Sequence, residues 1–176
     1  MVFRHPLIHC LLWLSFPLVS YADTAIPALY VQVANEHGIP AKVLYGVALT
    51  ESRKKLTNGN VRPWPWTLNV QGKAYFYNSN EQACRALTRF LTTTSIVDIG
   101  LTQQNWRYQG EHFVSPCSVL EPRTNLNHAA KLLKQGYQVH GSWLDAAGWF
   151  HRPAGGALAE KYKSSFFTNY RSVSYE

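Results

Sequence analysis

Apolar residues recur at three- and four-residue spacing along most of the chain, and this periodicity restricts the fold to one built mainly from helices. The spacing in 26–37 and 40–54 predicts two consecutive helices, separated by a break at Gly38. The other predicted helices are 80–92 with Asn80 as N-cap, a short helix at 103–108, a helix that carries Leu126, Ala130 and Leu133 and ends at Gly136, a helix capped by Ser142 that extends to 150, and a last helix with Leu158, Tyr162 and Phe166.

One segment has the pattern of an antiparallel hairpin instead. Residues 66–70 and 73–77 are rich in β-branched and aromatic residues, and Gly72 in the intervening turn can adopt positive φ. The chain lacks the alternation of strands and helices that is typical of a parallel sheet. The sequence therefore predicts an α+β, helix-dominated fold with one small β-hairpin.

The chain has 176 residues, of which 46% are hydrophobic. This length supports one domain with a hydrophobic core, and the composition is that of a folded chain rather than a disordered one. We find no internal repeat, low-complexity segment or interdomain linker in the sequence. Residues 23–176 are therefore predicted to form a single domain.

The N-terminus has the pattern of a secretory signal peptide. Arg4 supplies positive charge, an apolar stretch follows from Leu7 to Val19, and small residues precede the expected cleavage site after Ala22. The stretch is shorter than the roughly 20 apolar residues of a membrane-spanning helix. We expect residues 1–22 to be removed on export, with an uncleaved membrane anchor as the alternative.

Removal of that segment would also remove Cys10 and leave two cysteines, Cys84 and Cys117. In an oxidising compartment an even number of cysteines predicts a disulfide, and the alternative is two separate buried thiols. A bond between these two residues would close a long loop and contribute about 3–4 kcal/mol in the loop-entropy description.

The formal net charge is +7, which favours an anionic partner such as a nucleic acid, an acidic polymer or a membrane surface. The charges are spread along the chain without a block of five like charges, so an ordinary basic surface is the alternative. The sequence contains no glycine-rich phosphate-binding motif, no metalloprotease motif and no paired Cys-x-x-Cys motif. We therefore expect no metal and no cofactor.

A carboxylate extends the apolar face of the second predicted helix. Leu44, Val47, Ala48 and Glu51 are spaced i, i+3, i+4 and i+7, so they share one side of the helix. Burial of a carboxyl group among apolar neighbours disfavours its charged form and raises its pKa. Such a group can protonate a glycosidic oxygen near neutral pH. The alternative is a solvated or ion-paired glutamate at the end of a helix.

Several short motifs resemble those of soluble lytic transglycosylases, in the same order and at similar spacing. Residues 47–52 (VALTES) are similar to the first motif, an apolar helix that ends in Glu-Ser. Residues 100–105 (GLTQQN) resemble the second motif, and residues 146–151 (AAGWFH) resemble the third. Residues 121–126 (EPRTNL) resemble the start of a family helix. Residues 63–70 (PWPWTLNV) resemble a subset associated with conjugation and secretion systems.

The resemblance covers about 26–166, with three departures from the family pattern. Thr102 replaces the usual methionine of the second motif, and Gln104 replaces an apolar residue. Phe150 replaces the tyrosine of the third motif, which removes a hydroxyl that lies near the catalytic acid in the family. This departure predicts lower activity, unless another hydroxyl substitutes.

The resemblance implies a lysozyme-like fold whose cleft binds alternating N-acetylglucosamine and N-acetylmuramic acid. The implied reaction is non-hydrolytic cleavage of the β-1,4 bond, which leaves a 1,6-anhydromuramyl end. Glu51 is the expected general acid and then general base. Asp98 is the nearest second carboxylate, and we interpret it as structural. A missing second carboxylate fits assistance by the substrate's own N-acetyl group.

Six further residues are predicted from the matched motifs to bind the substrate or shape the cleft. Three of them have clear alternatives, since Ser52 could simply cap the helix, Gln103 could be a surface amide and Trp149 could belong to the core. The six predicted substrate-binding residues are Ser52, Gln103, Asn105, Trp149, Phe150 and His151.

The implied partner is the peptidoglycan glycan strand, whose stem peptides carry carboxylates that a basic protein can attract. The implied location is the periplasm, near a secretion or conjugation apparatus. We expect a monomer that does not bind nucleic acid, because DNA binding would leave the export signal unexplained. Two alternatives stay open. One is a lysozyme-like hydrolase on the same fold, and the other is a glycan-binding or assembly protein that has lost catalysis.

Overall fold

The computed structural model describes residues 25–173, and this part of the chain has the helix-dominated α+β fold that the periodicity predicts. The predicted signal peptide, residues 1–22, and its cleavage site lie outside the described residues. The α-helices are α1 (Ala28–His37), α2 (Ala41–Ser52), α3 (Asn80–Phe90), α4 (Trp106–Gln109), α5 (Pro122–His140), α6 (Trp143–His151) and α7 (Ala157–Ser172). The strands are β1 (Arg53–Lys55), β2 (Val61–Pro63), β3 (Thr67–Val70), β4 (Lys73–Phe76), β5 (Val97–Ile99) and β6 (Gln104–Asn105).

The β structure is larger than the single predicted hairpin. The predicted hairpin is present as β3 and β4, and its turn residues Gln71 and Gly72 both have positive φ, at 51° and 89°. Strands β5 and β6 extend it to a four-stranded antiparallel sheet of order β4-β3-β5-β6. The sequence did not indicate β5, which has only three residues. The two residues of β6 were predicted as part of the short helix 103–108, which in the structure begins only at Trp106, as α4.

The second helix ends earlier than predicted, at Ser52 rather than near Lys54. The chain becomes extended at Arg53, and β1 pairs with β2 in a separate two-stranded sheet. The backbone amide of Trp64 donates to the carbonyl oxygen of Ser52 at 2.9 Å, which satisfies a group that the helix leaves open. A long-range pairing of this kind is not visible in local periodicity.

The fifth helix does not end at Gly136 as predicted but continues to His140, where Gly141 caps it with φ 73°. Gly136 instead lies at the crossing of α5 and α6. A Cβ atom there would lie 3.1 Å from the Cα of Ala146 and 3.1 Å from the Trp149 ring. The glycine therefore permits a close approach of two helices. A further small correction is that Ser79, not Asn80, caps α3, since its hydroxyl accepts from the Gln82 amide at 3.2 Å.

Two hydrophobic clusters form the core. The first joins α1, α2, α5, α6 and α7, and the second packs α3 and the 3₁₀ helix Pro116–Leu120 against the four-stranded sheet. Cys84 on α3 and Cys117 in that 3₁₀ helix form a disulfide with a Cα–Cα distance of 5.2 Å. This bond therefore lies within the second cluster.

Candidate active site

A cleft of about 580 Å³ is lined both by helices of the first cluster and by strands of the second. Glu51 reaches it from the end of α2, and Phe150 and His151 reach it from the end of α6. The sheet contributes Asp98 from β5 and Asn105 from β6. The other lining residues are Gln103, Gln104, Tyr108, Gln109, Leu132, Arg152, Pro153 and Ala154.

Glu51 lies where its helical register predicts, next to a buried face of α2. Its side chain is 14% exposed. Burial raises the pKa of its carboxyl group from 4.5 to about 8, an interaction with the Tyr162 hydroxyl opposes this shift, and the nearby Asp98 carboxylate adds to it. The carboxyl group is therefore largely protonated at neutral pH, which is the state required of a general acid.

Tyr162 is a functional candidate that the motif comparison missed. It projects from α7, is 7% exposed, and belongs to the first hydrophobic cluster. Among the described residues, its hydroxyl makes no hydrogen bond of normal geometry, but it lies close enough to interact with Glu51. Burial is the main cause that raises the pKa of Tyr162, and the Glu51 carboxylate adds to the shift. The helical position of Tyr162 in a stripe with Phe166 indicated only a core residue. The Tyr162 hydroxyl lies near Glu51, whereas Phe150 has no hydroxyl group.

His151 lies next to both Glu51 and Tyr162. Its Nδ1 atom is 3.9 Å from Oε1 of Glu51, and 42% of its side chain is exposed. The imidazole stacks on the Tyr162 ring, with centroids 4.3 Å apart and planes 5° from parallel. Burial, and to a smaller extent the charge of Arg152, lower the pKa of His151. The imidazole is therefore neutral above its ordinary titration range.

Asp98 and Asn105 form a polar pair on the sheet side of the cleft. They are direct neighbours across β5 and β6, and Nδ2 of Asn105 donates to Oδ1 of Asp98 at 2.7 Å. The side-chain oxygen Oδ1 of Asn105 accepts from the backbone amide of Arg107 and thereby caps α4. Asp98 is flanked by the buried Val97 and Ile99, so its side chain points to the opposite, cleft-facing side of the sheet. Burial raises the pKa of Asp98, and the hydrogen bond from Asn105 opposes this.

Gln103 lines the cleft from a strained turn. Its φ is 47°, a region that non-glycine residues rarely adopt, and Gly100 three residues earlier has φ 81°. The side-chain nitrogen Nε2 of Gln103 donates to the backbone carbonyl oxygens of Gly100 at 2.8 Å and of Thr67 at 3.3 Å. These bonds hold the side chain in place and leave its carbonyl oxygen as the acceptor available to a ligand.

The two departures within the second motif form one buried network. Gln104 donates from Nε2 to the Thr102 hydroxyl at 2.8 Å, and this hydroxyl donates to Oδ1 of Asn125 at 2.6 Å. Asn125 also donates to the carbonyl oxygens of Ile99 and Val119. The buried polar groups of Thr102 and Gln104 are thus hydrogen-bonded to each other and to Asn125. The network joins the start of α5 to the sheet.

Two predicted substrate-binding residues do not line the cleft. Ser52 is 2% exposed, and its hydroxyl is bonded to the carbonyl oxygen of Leu101 at 2.7 Å. Its role in the structure is to tie the end of α2 to the turn that carries Gln103. Trp149 contacts the α5–α6 crossing at Gly136 and lines a smaller, separate cavity. Ser52 thus makes its contacts at the end of α2, whereas Trp149 is half-buried and belongs to neither hydrophobic cluster.

Tyr108 is a cleft residue that sequence reasoning did not identify. It lies on α4 and is 69% exposed, although it is a large aromatic residue. An exposed aromatic ring at the mouth of a polar cleft is suited to stacking on a sugar face. Only its position beside Asn105 in the sequence could have suggested it.

Within residues 25–173, no group of three or more His, Cys, Asp or Glu side chains is arranged to hold a metal ion. The helices of this same part of the chain are too short or too polar to cross a membrane. Comparisons with known protein families, with curated proteins and with solved structures find no significant match. A function can therefore be inferred only from the residues of the cleft and from the sequence motifs.

Proposed function

We propose that this protein is a peptidoglycan lytic transglycosylase with Glu51 as its general acid. The observation that carries the proposal is a single carboxyl group, 14% exposed, with a pKa raised to about 8 in an open cleft. The motif resemblance, including its implied lysozyme-like fold, supplies the substrate, namely the β-1,4 bond between N-acetylmuramic acid and N-acetylglucosamine. No cofactor is part of the proposal.

In the first step Glu51 donates its proton to the glycosidic oxygen, and the C1–oxygen bond breaks. The cleft supports this step because burial keeps Glu51 neutral, and thus able to donate a proton, before the reaction. After the transfer Glu51 is a buried anion, which needs a stabilising partner. The Tyr162 hydroxyl lowers the pKa of Glu51, so it stabilises that anion as it forms. Positive charge at C1 is stabilised by the substrate's own N-acetyl group.

In the second step the C6 hydroxyl of the muramyl residue attacks C1 and closes the 1,6-anhydro ring. The proton lost by this hydroxyl returns to the Glu51 carboxylate, so the enzyme ends the cycle in its starting state. The Gln103 carbonyl oxygen can accept from the acetamido N–H of the substrate, and Phe150 and Tyr108 provide apolar faces for sugar rings.

A hydrolase on the same scaffold is the second candidate, and Asp98 is the observation that favours it. This carboxyl group lines the same cleft as Glu51 and raises its pKa. Glycosidases with two carboxyl groups use the second one to activate water or attack C1. The missing hydroxyl at Phe150 favours a third candidate, a protein that binds glycan without cleaving it.

The test is digestion of purified peptidoglycan with residues 23–176 and with the Glu51→Gln variant, with mass spectrometry of the released muropeptides. Anhydromuramyl ends from the wild type alone are the expected result. Reducing ends would identify a hydrolase that keeps the same acid. Binding of glycan without products from either protein would contradict enzymatic activity and support the binding role.

Export to the periplasm, a monomeric state and action near a secretion or conjugation apparatus belong to the same proposal. Export rests on the N-terminal sequence pattern, and the link to a secretion or conjugation apparatus rests on the resemblance of residues 63–70. Purification of the full chain from periplasmic and cytoplasmic fractions, with N-terminal sequencing, tests the first. A chain that begins at Asp23 in the periplasm is the expected product.

A further inference from the structure

Glu51 and His151 form a pair that a substrate hydroxyl can bridge. Their nearest atoms, Oε1 and Nδ1, are 3.9 Å apart, which is beyond hydrogen-bond distance. An oxygen atom placed between them can lie about 2.8 Å from both at once. Both side chains line the cleft, so a ligand in the cleft can reach that position.

Packing fixes the orientation of this imidazole. His151 is the last residue of α6, and its ring lies flat against Tyr162 of α7, with centroids 4.3 Å apart. Tyr162 is in turn buried in the first hydrophobic cluster. The ring therefore has little freedom to move away from Glu51, although 42% of the side chain remains open to solvent.

The two groups have complementary proton affinities. Burial raises the pKa of Glu51 to about 8, whereas burial and Arg152 lower the pKa of His151. The other titratable groups that face the pair are Tyr162 from α7 and Asp98 from β5. At neutral pH the pair thus holds one transferable proton on the carboxyl group and one unprotonated ring nitrogen on the imidazole.

We propose that His151 is the second catalytic residue, which takes the proton from the attacking C6 hydroxyl and returns it to Glu51. This inference rests on the proposed transglycosylase function. In the first step the Glu51 proton moves to the leaving oxygen and the C1–oxygen bond breaks. In the second step the C6 oxygen bonds to C1, its proton moves to His151, and His151 transfers it to the Glu51 carboxylate. Atoms and charges balance without a further reactant.

A purely structural role would consist of stacking on Tyr162. Two variants separate the roles: His151→Phe keeps an aromatic ring against Tyr162, whereas His151→Asn keeps a polar side chain, and neither can accept a proton. His112→Phe is the control, since this histidine is also partly exposed but does not line the cleft. Turnover on peptidoglycan is measured as a function of pH for all of them.

The wild type is expected to have a bell-shaped profile, with an acidic limb set by His151 and an alkaline limb set by Glu51. Both His151 variants should lose the acidic limb and about 10- to 100-fold in kcat, with a smaller change in KM. Wild-type turnover and an intact acidic limb in His151→Phe would overturn the inference and leave the transglycosylase proposal standing. Absence of products from the wild type would instead overturn both.

A second readout does not require turnover. ¹⁵N NMR of the His151 ring should show two inflections with pH in the wild type, because ionisation of Glu51 at 3.9 Å changes the state of the imidazole. The Glu51→Gln variant should lose the alkaline inflection. A single inflection that is the same in both proteins would contradict the pairing of the two groups.

Discussion

At the residue scale, helical register and tertiary packing act on the same carboxyl group. The spacing of Leu44, Val47 and Glu51 places the glutamate next to a face that is buried in the first cluster. Register alone, however, does not distinguish a buried acid from a solvated one. Burial raises the pKa of Glu51, the Asp98 carboxylate from β5 adds to this shift, and the Tyr162 hydroxyl from α7 opposes it, so the result depends on contacts with both elements.

Replacement of Tyr162 by phenylalanine should raise the pKa of Glu51 further, because the hydroxyl lowers it in the wild type. Loss of a donor to a charged group costs about 1.5–3 kcal/mol, so turnover should fall roughly 10- to 100-fold. ¹³C NMR of the Glu51 carboxyl group measures the pKa directly. Tyr45→Phe is the matched control, a buried tyrosine on α2 that lines a different cavity. An unchanged Glu51 titration in Tyr162→Phe would contradict this assignment.

The raised pKa of Glu51 also predicts how stability depends on pH. Between pH 4.5 and about 8 the carboxyl group is ionised in the unfolded chain but protonated in the folded one. The folded state then binds more protons, so its stability falls as pH rises through this window. Across the whole window, the free energy of unfolding should fall by at most about 5 kcal/mol from this one group.

Glu51→Gln removes that titration. The variant should therefore be more stable than the wild type at pH 8 and similar to it at pH 4 in urea unfolding. The gain should be of the order of a few kcal/mol. A stability difference that is constant with pH would show that Glu51 titrates normally in the folded state.

At the scale of elements, the position of the cleft residues depends on how helices and strands approach each other. Helix α6 carries Phe150 and His151 to the cleft, and its approach to α5 is set by Gly136. On the other side, the buried Thr102–Asn125 hydrogen bond at 2.6 Å holds the Gln103 turn against α5. Both are tertiary contacts, which the periodicity within a single helix does not reveal.

Gly136→Ala should destabilise the protein although alanine favours helix more than glycine. Its Cβ would lie 3.1 Å from the Cα and 3.2 Å from the carbonyl oxygen of Ala146, and these backbone atoms yield only if α6 shifts. Overpacking of this kind costs about 1–3 kcal/mol. The readout is the midpoint of thermal unfolding.

The matched control is Gly148→Ala in α6, where the nearest atoms belong to the flexible side chain of Lys163. This change should be neutral or slightly stabilising, since the lysine side chain can move. Equal effects of the two substitutions would mean that close helix approach is not what requires glycine at position 136.

At the scale of the whole molecule, two clusters share one cleft, and the disulfide belongs to only one of them. Cys84 and Cys117 join α3 to the 3₁₀ helix beneath the sheet, and neither residue lines the cleft. The bond constrains 33 residues of chain, including β5, β6 and α4. Its expected effect is therefore on stability rather than on the chemistry of Glu51.

The Cys84→Ser/Cys117→Ser double variant should lose about 3–4 kcal/mol of stability, because the unfolded chain regains the entropy of the open loop. Guanidinium unfolding with and without reductant measures this. Reductant should lower the stability of the wild type to that of the variant and leave the variant unchanged. A wild type that is indifferent to reductant under unfolding conditions would contradict the contribution of the bond.

Local sequence pattern determined the helices, the β3–β4 hairpin and the position of Glu51 on the face of α2. These features depend on residues within about two helical turns of each other, which is the range over which periodicity is informative. The same pattern misplaced the end of α2 and the end of α5. In both places a tertiary contact, with β2 at Arg53 and with α6 at Gly136, overrides the local signal.

Only the tertiary structure decided which side chains meet at the cleft. Tyr162 carried no local mark that distinguishes it from a core aromatic, yet packing of α7 against α2 and α6 brings it to Glu51 and His151. Ser52 and Trp149 occupy motif positions, yet Ser52 is buried against Leu101 and Trp149 lies at the α5–α6 crossing, outside the cleft. The physical reason is that burial and proximity, which set proton affinity, are properties of elements that meet across more than 100 residues of chain.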